Sequence, residues 1–435
     1  MALQTTKTWE TLMQLLPSRN HDQDFWWKVT GRQLAVLLEA AGYPIERQYN
    51  TLLFHYHWAI PYLGPAPASG VPAKWPSQLS VDGSPIEYSW KWNTKTKAPD
   101  VRYTMEPMSE FTGTELDPLN QRAFRELLHK LSQFVPDVDL APTDYFISTL
   151  FDHDRSALMK AVNDGVPLQF SSTALAFEFL SKGLLLKTYY APRKLETGHF
   201  TLADWDKAIR GYYPESKALD VVYEFLKTSH EGKLLNPYHL AVDNVKGGRL
   251  KFYFQSPHRT FTSVREILSI GGRVYREGLE AQFLALRDFL NAITGQSPDF
   301  PEDGEPPIVE EDVTGDMDTD GHPELMSGYL YYFDIAPGAT LPEIRFYVPI
   351  RRYCKSDLDL AKALTGWMEA HGRGAYCQQY LDLAYSLAEH RDLAKDRGLQ
   401  RYIACLLAKN GEIEVTTYLA PETYEQVRRA QKAVV

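Results

Sequence analysis

Five pairs of short strand-like runs constrain this chain more than any other feature. They fall near 84–92 and 101–107, 174–180 and 184–190, 237–243 and 249–255, 329–335 and 344–349, and 402–408 and 413–419. Two of the turns are short, Ser181-Lys182-Gly183 and Lys409-Asn410-Gly411. Asn-Gly between two strand runs signals a hairpin, and hairpin strands are antiparallel. Helical patterns separate the pairs, at 24–41, 119–134, 143–163, 203–210, 216–229, 262–270, 277–293, 356–370 and 376–389, with a last one at 422–432, and a second apolar stretch at 47–60 follows the first of them. The order is therefore helix, helix, strand, strand, five times over. A sheet of so many strands curls, and closing it removes both exposed edges. The expected fold is α+β: a ten-stranded antiparallel β-barrel ringed by helices, five ααββ repeats, one domain over 1–435. The pattern breaks at 295–323, which carries Pro298, Pro301, Pro306 and Pro307, with no Lys or Arg between Arg287 and Arg345. That stretch reads as an acidic surface loop.

Composition narrows the function. The 435 residues hold 46 Lys and Arg against 56 Asp and Glu, a net charge of −10, so no basic face for nucleic acid is expected. Cys354, Cys377 and Cys405 are too few for a disulfide framework and none lies in a C-x-x-C pair, which fits a reducing compartment. The N-terminus has no apolar h-region and no stretch approaches a membrane span, so a cytoplasmic protein with no membrane contact is expected. The P-loop, the H-E-x-x-H zinc motif and the G-x-S-x-G elbow are all absent. His55 and His57 are two apart, a spacing that does not put two ligands on one helix face, and packing roles are expected for them. Asp316-x-Asp318-x-Asp320-Gly321 opens like a calcium loop, but Pro323 interrupts it and its twelfth position is Ser327 rather than Glu.

The chemistry lies on the strands, where side chains two apart share a face. Arg249, Lys251 and Tyr253 share one face. Lys187 and Tyr189 share another, as do Arg345 and Tyr347, and Thr416 and Tyr418; Arg102 lies in the first strand pair. If helices cover the outside, these side chains point into the barrel. Buried unpaired cations are costly, so a lumen holding this many calls for an anion, and Lys and Arg suit a phosphate or diphosphate. Tyrosine faces beside that anion can stabilise a cation. With 26 Tyr against 20 Phe, the chain has the polar-edged aromatics such a lumen needs. Glu87 is a lone acid on an apolar and aromatic strand, placed to accept an N–H or O–H, or to form a local ion pair.

Here the sequence resembles the fungal aromatic (indole) prenyltransferases of the dimethylallyl-tryptophan synthase type. The likeness runs along nearly the whole chain. It includes Phe25-Trp26-Trp27, Tyr62-Leu63-Gly64-Pro65, Trp75-Pro76-Ser77, Pro85-Ile86-Glu87-Tyr88-Ser89, Met105-Glu106-Pro107, Lys187-Thr188-Tyr189, Arg249-Leu250-Lys251-Phe252-Tyr253 and Arg345-Phe346-Tyr347-Val348-Pro349. The resemblance implies the ABBA barrel of five ααββ rounds, and it assigns roles. Arg102, Lys187, Arg249, Lys251 and Arg345 would hold the diphosphate, and Tyr189, Tyr253, Tyr347 and Tyr418 would shield the allylic cation. Glu87 would bind the acceptor's N–H, and Leu79 would pack against its ring. It implies no cofactor and no metal, a small aromatic acceptor and a prenyl diphosphate as the only ligands, and a monomer or homodimer.

The chain also departs from that family. Tryptophan-modifying members place a proton-accepting lysine on the strand before Lys-Thr-Tyr, where this chain reads Thr173-Ala174-Leu175-Ala176. Cys405-Leu406-Leu407 stands where many members have a tyrosine, and Arg345 where others have Lys or Gln. The diphosphate half is kept and the acceptor half is altered. The expected activity is metal-independent transfer of a dimethylallyl group to an aromatic, indole-containing acceptor. Two alternatives stand: the same chemistry on a phenolic or polyketide acceptor, with Glu87 holding a hydroxyl, or a carrier barrel without turnover.

Overall fold

The computed structural model describes residues 5–432 except 69–70, 72, 74, 76, 165–170, 181–182, 193, 196–199 and 310–327. Its strands are β1 (Ile86–Lys91), β2 (Asp100–Met105), β3 (Thr173–Leu180), β4 (Gly183–Tyr190), β5 (Asn236–Asp243), β6 (Leu250–Gln255), β7 (Leu330–Ile335), β8 (Glu343–Val348), β9 (Gln400–Leu407) and β10 (Ile413–Leu419). Each pairs antiparallel with its chain neighbours, and β10 closes on β1 through Tyr88 opposite Leu419 and Lys91 opposite Thr416. The closed antiparallel barrel expected from the sequence is observed. At the β9–β10 turn Gly411 has φ +88°, and the Asn410 side chain accepts the Glu412 N–H at 3.2 Å, the chemistry Asn-Gly supplies.

Period-two alternation divides every strand into a helix-facing and a lumen-facing set. Tyr88, Trp90, Tyr103, Phe177, Phe252, Phe254, Phe333, Phe346 and Cys405 face outward and form one continuous core with the helices. Phe252 shows the packing, with its ring 5.4 Å from Trp205 and 4.3 Å from Phe254. Each such ring contributes roughly 1.5–3 kcal/mol by leaving water. The helices supply the other side. In Lys217–Thr228, Ser216 caps the start by accepting the Leu219 N–H, and Ala218, Leu219, Val222, Phe225 and Leu226 bury one stripe. Ser229 is extended, ends that helix and caps the short helix His230–Leu234.

Two helical expectations are refined. The pattern at 24–41 forms helices His21–Trp26 and Arg32–Ala40 joined by a π segment, Trp27–Gly31. A Cβ at Gly31 would lie 2.5 Å from the Trp27 ring and 2.7 Å from Trp9, so only glycine admits this packing. The pattern at 143–163 splits into Ala141–Leu150 and Arg155–Asn163. Phe151 is extended, and the Asp154 carboxylate accepts the N–H groups of Ser156 and Ala157 at 3.0 and 3.1 Å, starting a new helix. The helices Lys7–Leu15 and His230–Leu234 were not foreseen.

His55 is buried against Trp27 and Tyr103 outside the barrel wall, and burial lowers its pKa to about 3, which agrees with a packing role. In the acidic loop, Glu302 pairs with Arg265 at 3.1 Å and Glu305 pairs with Arg259; Asp316, Asp318, Asp320 and Gly321 lie outside the described residues.

Candidate active site in the barrel lumen

The lumen wall carries the cations the sequence placed there, but each has a carboxylate partner. Arg102 lies 3.0 Å from Glu178, which also pairs with Lys187. Lys251 pairs with Asp243. Arg249 bridges Asp243 at 3.0 Å and Asp334 at 2.8 Å. Arg345 lies 3.2 Å from Glu414, which also holds Lys91 at 2.9 Å. The expectation of unpaired cations is therefore corrected. Neighbouring strands place acids opposite the cations, as in Arg102 opposite Glu178, Lys187 opposite Asp243 and Lys251 opposite Asp334, and this offsets the cost of burying charge without a ligand. Arg249, just before β6, has a 43% exposed side chain whereas Lys251 has 5%, so the belt runs from an open mouth inward.

Burial and neighbouring charges set the protonation states along this belt. Burial, with Lys251 nearby, brings Lys187 down to about 8 despite its contact with Glu178. Burial pushes Glu178 the other way, but Arg102 and Lys187 outweigh it and hold the carboxyl at about 2. Asp243 is likewise depressed, its burial outweighed by Lys251 and Lys187.

One pleat inward the wall turns aromatic. Ala241, Tyr253 and Tyr332 form a second apolar cluster, separate from the outer core, with Tyr189, Tyr238 and Tyr347 packed on it. Ring centroids lie 6.4 Å apart for Tyr189–Tyr253, 6.3 Å for Tyr253–Tyr347 and 5.7 Å for Tyr347–Tyr418. All four tyrosines singled out in the sequence are thus brought together. Tyr332 and His239 belong with them, at 5.0 and 5.4 Å from Tyr253. Burial raises Tyr189, Tyr253 and Tyr347 well above their ordinary pKa and lowers His239 to about 4. The patch is therefore a set of neutral rings, whose faces attract positive charge. Tyr332 was hard to pick out because aromatic residues occupy both faces of Leu330-Tyr331-Tyr332-Phe333.

Glu87 is inward on β1, four residues from Lys91, or about 13 Å along the strand. It is buried, and its Oε1 accepts from Arg401 Nη1 at 3.2 Å. Burial raises its pKa to about 7, against the pull of Arg401. Arg401 Nη1 also donates to the Leu79 carbonyl and, at 3.2 Å, to that of Gln78, so Leu79 is tied to the Glu87 end of the lumen. Buried Glu106 organises the same loop. It accepts from Trp75 Nε1 at 2.7 Å, Asn120 Nδ2 at 3.2 Å and the hydroxyls of Ser171 and Ser77, while Ser171 Oγ accepts the Gln78 N–H at 2.9 Å.

Arg401 is there because of a β-bulge. Tyr418 pairs with Tyr402 but Leu419 pairs with Gln400, leaving Arg401 opposite no residue of β10. Gln400 is anchored on the outside. Its N–H reaches Asp357 Oδ1 at 3.0 Å and its side chain accepts from Tyr380 at 2.8 Å. Asp357 is itself paired with Arg391 at 2.6 Å. A two-residue spacing rule does not see past a bulge, which is why Arg401 escaped it.

Taken together, the wall offers a belt of paired cations, a neutral aromatic patch and a buried carboxylate–guanidinium pair in one lumen. Residues 22–383 match the family described as tryptophan dimethylallyltransferase. The chain belongs to that family. It is similar to prenyltransferase fogH of Aspergillus ruber, 91% identical over 435 residues and covering 100% of both chains. It is also similar to xanthone prenyltransferase A of Emericella nidulans, 45% identical over 428 residues, covering 95% of this chain and 96% of that one. Among solved structures, AnaPT from Neosartorya fischeri superposes with a TM-score of 0.79 at 24% identity, over 96% of this chain and 98% of that one. The protein is thus an aromatic prenyltransferase, and the carrier reading falls away. Ala174 and Ala176 face the lumen of this prenyltransferase from β3, opposite Tyr189 and Lys187, so the position of the absent lysine is a small, apolar one.

Proposed function

We propose that this prenyltransferase moves a dimethylallyl group from its diphosphate to a ring carbon of a phenolic acceptor. The observation that carries this is the likeness to xanthone prenyltransferase A across nearly the whole of both chains. The buried Glu87–Arg401 pair supports it, because a carboxylate beside a fixed cation suits an ionisable hydroxyl.

The diphosphate sits on Arg102, Lys187, Arg249, Lys251 and Arg345. Ionisation breaks the allylic C–O bond, its electron pair leaves with the diphosphate, and the belt stabilises the charge that develops there. The allyl cation lies among Tyr189, Tyr253, Tyr347 and Tyr418, whose neutral rings shield it from water. Leu79 packs on the acceptor ring, and Glu87 receives its hydroxyl. The belt supplies the positive charge that magnesium provides elsewhere, so the reaction proceeds without a metal. The indole acceptor read first from the sequence is the second candidate, with Glu87 taking the N–H.

The test is incubation of EDTA-treated protein with dimethylallyl or geranyl diphosphate against hydroxyxanthones, dihydroxynaphthalenes, tryptophan and an indole dipeptide, read by mass spectrometry. Turnover of the phenols with the dimethylallyl donor is expected. Turnover of the indoles alone, or activity only after magnesium is restored, would overturn the reading.

A further inference from the structure

The acceptor end poses a question that the diphosphate belt does not. Attack by an arene carbon leaves a ring proton to remove, and the lumen wall presents only Ala174 and Ala176 where a lysine would serve. It does present a buried ion pair of unusual construction. Arg401 stands on a bulge, its neighbour Gln400 is pinned from outside by Asp357 and Tyr380, and its guanidinium is braced by two backbone carbonyls of the Leu79 loop. It has little freedom to leave Glu87.

We propose that Arg401 is the positioning residue that makes Glu87 the base for a phenolic hydroxyl, so that the acceptor is attacked as a phenolate-like ring and needs no base beside the reacting carbon. This rests on the phenolic reading above. As the new C–C bond forms, Glu87 takes the O–H proton and the product is a neutral cyclohexadienone. The ring C–H proton then passes to water, the oxygen recovers a proton from the Glu87 carboxyl, and aromaticity returns by tautomerisation. One proton, that of the ring carbon, is released per turnover alongside the diphosphate. The leaving C–O bond and the new C–C bond balance the electron pairs.

The charged and titratable groups facing Glu87 among the described residues are Arg401 from β9 and Tyr418 from β10; its partner on β2 is Thr104. Burial dominates, and Arg401 opposes it, placing Glu87 at about 7. Taking the guanidinium away removes an opposite charge at contact distance, which shifts a carboxylate by about one to three units.

The experiment measures kcat for a dihydroxynaphthalene and its dimethyl ether, at saturating dimethylallyl diphosphate, from pH 5.5 to pH 9. Wild type is compared with Glu87→Gln, Arg401→Lys and Arg401→Met, each checked by circular dichroism. Wild type is expected to show an acid limb near neutrality and to turn over the ether at least about 100-fold more slowly than the diol. Arg401→Lys should keep the limb near its place, and Arg401→Met should move it upward by about one unit or more. Glu87→Gln should lose the limb and most of the diol rate. If Arg401→Met fails to fold, the wild-type ether comparison and Glu87→Gln still decide. An ether handled as well as the diol, or a limb unmoved in a folded Arg401→Met, would overturn the proposal while leaving phenol prenylation standing. Rejection of every phenol together with turnover of an indole would instead overturn the acceptor reading on which it rests.

Discussion

Lys187 gives the sharpest consequence of the paired belt. Its ammonium is buried, close to Lys251, and its pKa is lowered to about 8. A diphosphate brings negative charge to the same point and favours the ammonium, so binding must raise that pKa. Linkage then fixes the sign. Below pH 8 the free enzyme is already protonated at Lys187 and binding takes up no proton there. Between pH 8 and the higher pKa of the complex, binding takes up as much as one proton, and affinity falls by up to about tenfold per pH unit. Lys187→Met removes a charge-assisted contact of about 1.5–3 kcal/mol, or roughly 10- to 100-fold in affinity at pH 7. The assay is titration calorimetry with the dimethylallyl thiolodiphosphate analogue at pH 7 and pH 8.8, each in two buffers of different ionisation enthalpy. The expected result is buffer-dependent heat at pH 8.8 that disappears in Lys187→Met. Equal heats in both buffers for wild type at pH 8.8, or unchanged affinity in the variant, would refute the reasoning.

Other consequences follow from the same geometry. Asp243→Asn removes the carboxylate in direct contact with Lys251 and one of the two on Arg249, a loss of about 3–5 kcal/mol. Its melting temperature should fall, and the diphosphate analogue should restore part of the loss; differential scanning fluorimetry checks both. Tyr253→Leu removes the ring central to the lumen cluster, so ionisation should slow by up to about 30-fold at ~2 kcal/mol. Its product mixture should shift toward free prenyl alcohol, quantified by gas chromatography. Glu106→Gln weakens the carboxylate that gathers Trp75, Asn120, Ser77 and Ser171. It should raise KM for the acceptor several-fold and leave KM for the diphosphate unchanged in steady-state kinetics.

The barrel was legible because its signal is local and repeated. Strand pairs such as 402–408 and 413–419 carry alternation and turn chemistry that no distant contact has to complete. The cation–tyrosine spacing at Lys187 and Tyr189 placed both on the inner face for the same reason. What escaped depends on pairing between strands. Glu178, Asp243, Asp334 and Glu414 are lone acids on apolar strands, the same signal that singled out Glu87, yet their meaning appears only when the register sets them opposite cations. Arg401 escaped because a bulge, fixed by Asp357 and Tyr380 from outside the barrel, breaks the two-residue period. The resemblance to indole enzymes pointed to cations and tyrosines that the fold does gather on the inner wall. It gave less at the acceptor end, where the sequence already departs from the tryptophan-modifying members at Ala174 and Ala176.

The most direct test is a crystal structure of the enzyme with dimethylallyl thiolodiphosphate and a dihydroxyxanthone. The diphosphate oxygens should lie within hydrogen-bond distance of Lys187, Arg249, Lys251 and Arg345, with the dimethylallyl carbons among Tyr189, Tyr253, Tyr347 and Tyr418. A phenolic oxygen should sit on Glu87 beside Arg401. A diphosphate bound away from the belt, or an acceptor hydroxyl turned away from Glu87, would contradict the assignment of this lumen as the site of phenol prenylation.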